Sequence, residues 1–141
     1  MMSASWTRSH SRYVLLHAVL DSVAAQEEPT VPVELRAAVF AEFGSIDGLL
    51  CAVQYHWYRI FDAQLDQLLE REPADIEAAV AALWDSVAAQ RPAARRLLDA
   101  NAGNPALVAG DNHHRATLYT ATGVDQFEVA RTGRRVMGRV S

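Results

Sequence analysis

Hydrophobic positions recur at helical spacing along most of the chain. Leu15, Leu16, Val19 and Val23 mark a first helix from Ser9 or Ser11 to Ala25, which "EEPTVP" interrupts. Thr30 is placed as an N-cap before Pro32, and Leu35, Val39 and Phe43 form a second stripe ending at Gly44. Ser45 caps the third and longest candidate, with Asp47 well placed in its first turn, and the pattern holds to about Arg71. Ile76, Val80, Leu83 and Val87 form the seam of a fourth helix, from about Ala74 to Gln90. Pro92 opens a short fifth with Leu97 and Leu98 inward and Gly103 as its stop, and Pro105 begins one more turn, around Ala106 to Ala109.

The chain changes character after Gly110. Residues 115–141 are rich in Thr, Val and aromatics, with Thr-Gly pairs at 122–123 and 132–133, the spacing of two turns in a small three-stranded meander. A helix from Asp125 to Met137 is the rival reading, opposed by Thr132 and Gly133. The expected fold is therefore mostly α. Four main helices and a short fifth surround a central helix at 45–71, with a β-hairpin, meander or irregular segment at the C-terminus. By this reading 1–110 is the helical domain, and 111–141 is an extension packed on the bundle or on a partner subunit. "DSVAAQ" occurs at both 21–26 and 85–90, but the similarity does not extend into a repeat.

On a helical wheel, Ile46, Leu49, Leu50, Val53, Trp57, Ile60, Phe61 and Leu68 share one face of the third helix. Cys51, Tyr58, Leu65 and Leu69 flank it, so the apolar arc spans roughly 200°, twice that of a surface helix. Tyr55, Arg59, Asp62 and Asp66 fall outside the arc, and His56 lies at its border. Such a helix is wrapped on more than one side. Tyr55, Tyr58 and Arg59 are then the expected surface for a second copy, because tyrosine joins an apolar body to a polar tip.

With 141 residues, half of them hydrophobic, the chain is long enough for one domain with its own core. The net charge of −4 gives no bulk attraction to nucleic acid. All thirteen basic residues are arginine. Lysine Schiff-base chemistry and the GxxxxGK[ST] phosphate loop are therefore excluded, and the usage matches a GC-rich bacterial genome. No signal peptide or membrane span is read in the sequence, and one cysteine allows no intrachain disulfide, so a cytoplasmic location is expected.

Candidate chemistry is sparse. His10, His17 and Asp21 share a face of the first helix but supply no full ligand set, and Glu-x-x-His pairs for a di-metal bundle are absent. "GDNHH" at 110–114 resembles the GD and GNH metal-binding segments of metallophosphoesterases. The segments are merged here and the preceding Asp-x-His is missing, so no family function is carried over. A loop with Asp111 as a helix cap is preferred for that stretch over adventitious binding of a divalent ion by Asp111, His113 and His114. Globin-like histidine spacing fails. Cys51 has no His or cationic residue three or four positions away on its helix, and Ser45 lacks a G-x-S-x-G elbow. The tail arginines Arg131, Arg134, Arg135 and Arg139 offer only a modest footprint for phosphates.

The expected role is thus a non-enzymatic module that self-associates as a dimer or binds a protein partner, without a metal or other cofactor, membrane or nucleic acid. The alternative is a small-molecule binder or small enzyme with a pocket between the third and fourth helices, for haem or an aromatic ligand. His56, Trp57, Tyr58 and Trp84 would line that pocket, and Arg59 would anchor an anion.

Overall fold

The computed structural model describes residues 4–131, with side chains from residue 7 onward. Six helices run in order: α1 (Ala4–Ala25), α2 (Val33–Phe43), α3 (Ile46–Glu70), α4 (Ile76–Gln90), α5 (Pro92–Ala100) and α6 (Pro105–Thr122). A seventh helical segment, α7, occupies 126–131. The described residues are all-α and contain no strand.

α3 packs against α1, α2, α4, α5 and α6. Leu49, Leu50, Val53, Trp57 and Phe61 are fully buried on it, as the wide apolar arc requires. Cys51 is exposed despite its place in the flanking stripe. Partner residues rise together along α3 and α6, from Asp47 with Asn104, through Gln54 and Tyr58 with Asp111, to Asp62 with His114. The two helices therefore run parallel.

Local chemistry fixes the helix ends. The Ser45 hydroxyl accepts from Gly48 N at 2.9 Å, and the Asp75 carboxylate accepts from Ala78 N at 3.1 Å. Arg96 of α5 donates to Val23 O (3.0 Å), a carbonyl that the end of α1 leaves open, and to Glu27 O (2.6 Å) in the turn beyond it. α2 and α3 meet at an 80° bend. No single described helix is long and apolar enough to cross a membrane.

The α2–α3 corner depends on Gly48, where an added Cβ would lie 2.2 Å from the backbone oxygen of Phe43. Alanine is the better helix former by roughly 1 kcal/mol. Gly48→Ala should nevertheless lower stability by about 1–3 kcal/mol, the range for overpacking, because a backbone atom must move. Urea unfolding monitored by circular dichroism will read the sign. A gain would mean that the corner is slack.

Among the described residues, the C-terminal segment is helix and not the expected strand. Residues 115–122 belong to α6, which runs unbroken through Gly110, and neither a hairpin nor a meander forms among the described residues. The Thr-Gly pair at 122–123 is a helix C-cap. Gly123 takes φ 76°, its N–H donates to Tyr119 O, and the Thr122 hydroxyl donates to Leu118 O. α7 starts close to where the rival helix was expected, at Asp125. The second Thr-Gly pair and Arg134, Arg135 and Arg139 lie outside the described residues.

Candidate functional site

Residues four apart on a helix stack on one side. Gln54, Tyr58 and Asp62 form such a row on α3, facing Leu107, Asp111 and His114 on α6. Asp111 Oδ1 accepts from Tyr58 OH at 2.6 Å and from Gln54 Nε2 at 2.8 Å. Gln54 Nε2 also donates to Leu107 O at 2.9 Å. Space for this is left by Gly110, where a Cβ would lie 2.2 Å from Gln54 Oε1.

α7 completes the row. Arg115 makes a two-point contact with Asp125, 2.9 Å at each end, and its guanidinium lies 4.1 Å above the Phe127 ring. This ion pair holds the Asp125 carboxyl below its ordinary pKa, chiefly through the Arg115 hydrogen bonds. Asp125 in turn accepts from Phe127 N at 3.0 Å. The turn thereby delivers Gln126, only 2% exposed, between α3 and α6. Gln126 Nε2 donates to the Tyr58 oxygen at 2.8 Å, and Gln126 Oε1 meets His114 Nδ1. His114 Nε2 lies 2.6 Å from Asp62 Oδ1.

One connected network results: Gln54, Asp111, Tyr58, Gln126, His114 and the half-exposed Asp62. Its orientation follows from counting hydrogens. The single Tyr58 proton goes to the Asp111 carboxylate, so the phenol oxygen must accept from Gln126. The amide oxygen then faces Nδ1, which must carry hydrogen. The His114 and Tyr58 rings also stack, with centroids 3.9 Å apart and an 8° interplanar angle. Burial, then the Asp111 hydrogen bond, push the Tyr58 phenol well above its ordinary pKa.

This network forms part of the wall of a 710 Å³ cavity bounded by α3 to α7. Gln54, Tyr58, Asp111 and Gln126 give it polar atoms, while Trp84, Leu98, Leu107 and Phe127 give it apolar surface. Arg95 also lines the cavity, with its guanidinium 5.2 Å from the Trp84 ring and 4.6 Å from the Trp57 ring. It pairs with Asp99 at 2.9 Å.

Of the residues proposed from sequence, Tyr58 and Trp84 meet at this cavity. Trp57 is fully buried behind them, its ring 4.5 Å from that of Trp84. His56 and Arg59 do not line the cavity. Tyr55 is 66% exposed, with the Arg59 guanidinium 5.8 Å from its ring. Asp111 is no helix cap and 110–114 is no loop, since both lie inside α6. His113 is exposed while His114 is buried. Among the described residues, no group of three or more His, Cys, Asp or Glu is arranged to hold a metal. Gln54, Asp111, His114 and Gln126 were missed as site residues. Of these only Gln54 carries a signal in the sequence, as a polar residue inside an otherwise apolar arc, four positions before Tyr58.

His17 is not on a solvated face. It is half-buried against His56, with ring centroids 5.5 Å apart and Nε2 of each ring enclosed without a hydrogen-bond partner. Burial first, then His17, Arg91 and Arg59, lower the His56 pKa. A lowered histidine pKa means that the unfolded chain binds a proton which the folded one resists. Its contribution is intact above the unfolded value of about 6.5 and is lost as pH falls through the folded value. Urea midpoints should therefore drop from pH 7.5 toward pH 5, and His56→Phe should flatten that drop. An unchanged slope in the variant would remove His56 as the cause.

In comparisons with known proteins, no family model, no curated protein and no solved structure matches this chain.

Proposed function

We propose that this chain is a small-molecule-binding protein whose ligand occupies the cavity between α3, α4, α5, α6 and α7. The observation that carries this reading is the buried network ending at the cavity wall. Burying polar side chains gives no more stability than well-packed apolar ones would, and loses stability if any partner is missing. What such a network does achieve is to fix the direction of donors and acceptors. Here it fixes Tyr58, Asp111 and Gln126 beside an apolar surface, the arrangement by which pockets orient ligands.

Ala102 lines the same cavity without touching the network. A fragment library screened by ligand-observed NMR should give binders to the native chain, and Ala102→Trp should remove them while the fold persists. The reading fails if the native chain binds nothing, or if binding survives the filled cavity.

Self-association remains a second reading, supported by the exposed Tyr55 with Arg59 beside its ring. Size-exclusion chromatography with light scattering should then return a dimer that Tyr55→Ser dissociates. A strictly monomeric species at high micromolar concentration would end it.

A further inference from the structure

Given a ligand in this cavity, we infer that it is an organic cation, an ammonium on a compact apolar body, held by the Asp111 carboxylate. The inference rests on the binding reading and adds the charge of the ligand to it.

Asp111 is a carboxylate served only by neutral donors. Tyr58 OH and Gln54 Nε2 both bond to Oδ1. Among the described residues, no arginine or histidine forms an ion pair with it, and Oδ2 accepts no hydrogen bond. The contrast with its neighbours is direct. Asp62 meets His114, Asp99 meets Arg95, and Asp125 meets Arg115. A part-buried carboxylate is stabilised most by a charged donor, and the free oxygen belongs to a residue on the cavity wall.

The remaining charges of the wall favour the same sign. Its carboxylates are Asp85, Asp99 and Asp111, and its cations are Arg95 and Arg131. Arg95 places Nε and NH2 on Asp99 Oδ1, at 3.0 and 2.9 Å, and Arg131 pairs with Glu128 at 3.0 Å. Both cations are thus matched, and Asp111 and Asp85 are left over. An anionic ligand would have to compete with Asp99 for Arg95, whereas an ammonium meets an open acceptor. Trp84, Leu98 and Leu107 supply the apolar surface for the rest of the molecule.

Three probes of similar size separate charge from shape: the isosteric phenethylamine and 2-phenylethanol, and phenylacetate, titrated by calorimetry at neutral pH. Phenethylammonium should bind at least about tenfold tighter than the alcohol, with the acid weakest. Asp111→Asn keeps the Oδ1 acceptor for Tyr58 and Gln54 and should bring the amine down to the level of the alcohol. Raising salt from about 50 to about 500 mM should weaken the amine and leave the alcohol unchanged, a readout that needs no variant.

The inference is overturned if the alcohol or the acid binds as tightly as the amine. It is equally overturned if the advantage of the amine survives Asp111→Asn in a folded protein, or is insensitive to salt. In those cases the cavity still binds small molecules and only the charge assignment falls. Absence of binding by all three probes overturns it as well, and the binding reading is then decided by the fragment screen and Ala102→Trp.

Discussion

Trp57→Ala should lower stability by about 3–5 kcal/mol, the range for removing a large buried aromatic side chain. Trp57 is 0% exposed, and its ring meets Phe61 at 5.8 Å, Tyr58 at 5.6 Å and Trp84 at 4.5 Å, with Arg95 at 4.6 Å. A domain of this size has about 5–15 kcal/mol in total, so the variant should show a large fall in urea midpoint or fail to fold. Trp57→Phe should lose much less. It gives up part of the ring volume but also removes the indole N–H, which is buried without a hydrogen-bond partner. If alanine at this position cost under 1 kcal/mol, α3 would not be the centre of the core.

That position was legible because the apolar period of α3 is long and regular. Two caps were legible too, whereas Thr30 does not cap α2, whose N-cap is Pro32 with no side-chain hydrogen bond. Ser45 at the start of α3 and Pro92 at the start of α5 stand where turn chemistry puts them. What misled was α6. Thr, Tyr and Val around 115–124 favour strands on local propensity, but propensity is weak against burial on a neighbouring helix. His114 and Leu118 pack inward from α6 because α3 lies alongside, and no local window contains that fact. Thr-Gly suits a hairpin turn, but the same left-handed glycine ends a helix equally well.

The site was legible only in halves. Tyr58 and Trp84 were named from their helical surroundings, whereas Asp111, His114 and Gln126 acquire meaning only when three helices meet. Gln54 lies within the apolar arc four positions before Tyr58, and Asp62 lies outside it four positions after. A glutamine within an apolar arc has two readings, a solvated edge or half of a buried hydrogen bond, and only the partner decides. Here the partner is 57 residues away, at Asp111.

The network should act as a unit, and this is the sharper test of the site. Gln126→Leu strands the His114 Nδ1 hydrogen and removes the donor to the Tyr58 oxygen. At about 1–3 kcal/mol for each of these two groups, the loss should be roughly 2–6 kcal/mol. His114→Leu strands Gln126 Oε1 but leaves Asp62 half in water, so its loss should be smaller. With both replaced by leucine, the orphans shared by the pair disappear. The double variant should then be more stable than the sum of the singles predicts, by about 1–3 kcal/mol. Urea unfolding of the four proteins measures this, and additivity within about 0.5 kcal/mol would show that the groups are mere neighbours. Alkaline pH gives an independent check through Tyr58. Its folded pKa is raised, so its contribution is complete below the unfolded value of about 10 and is lost as pH climbs toward the folded value. In that window the unfolded chain releases a proton that the folded chain keeps, and stability should fall by up to about 1.4 kcal/mol per pH unit. Tyr58→Phe should abolish that share of the slope. Retention of the full slope would mean that the phenol is not held between Asp111 and Gln126.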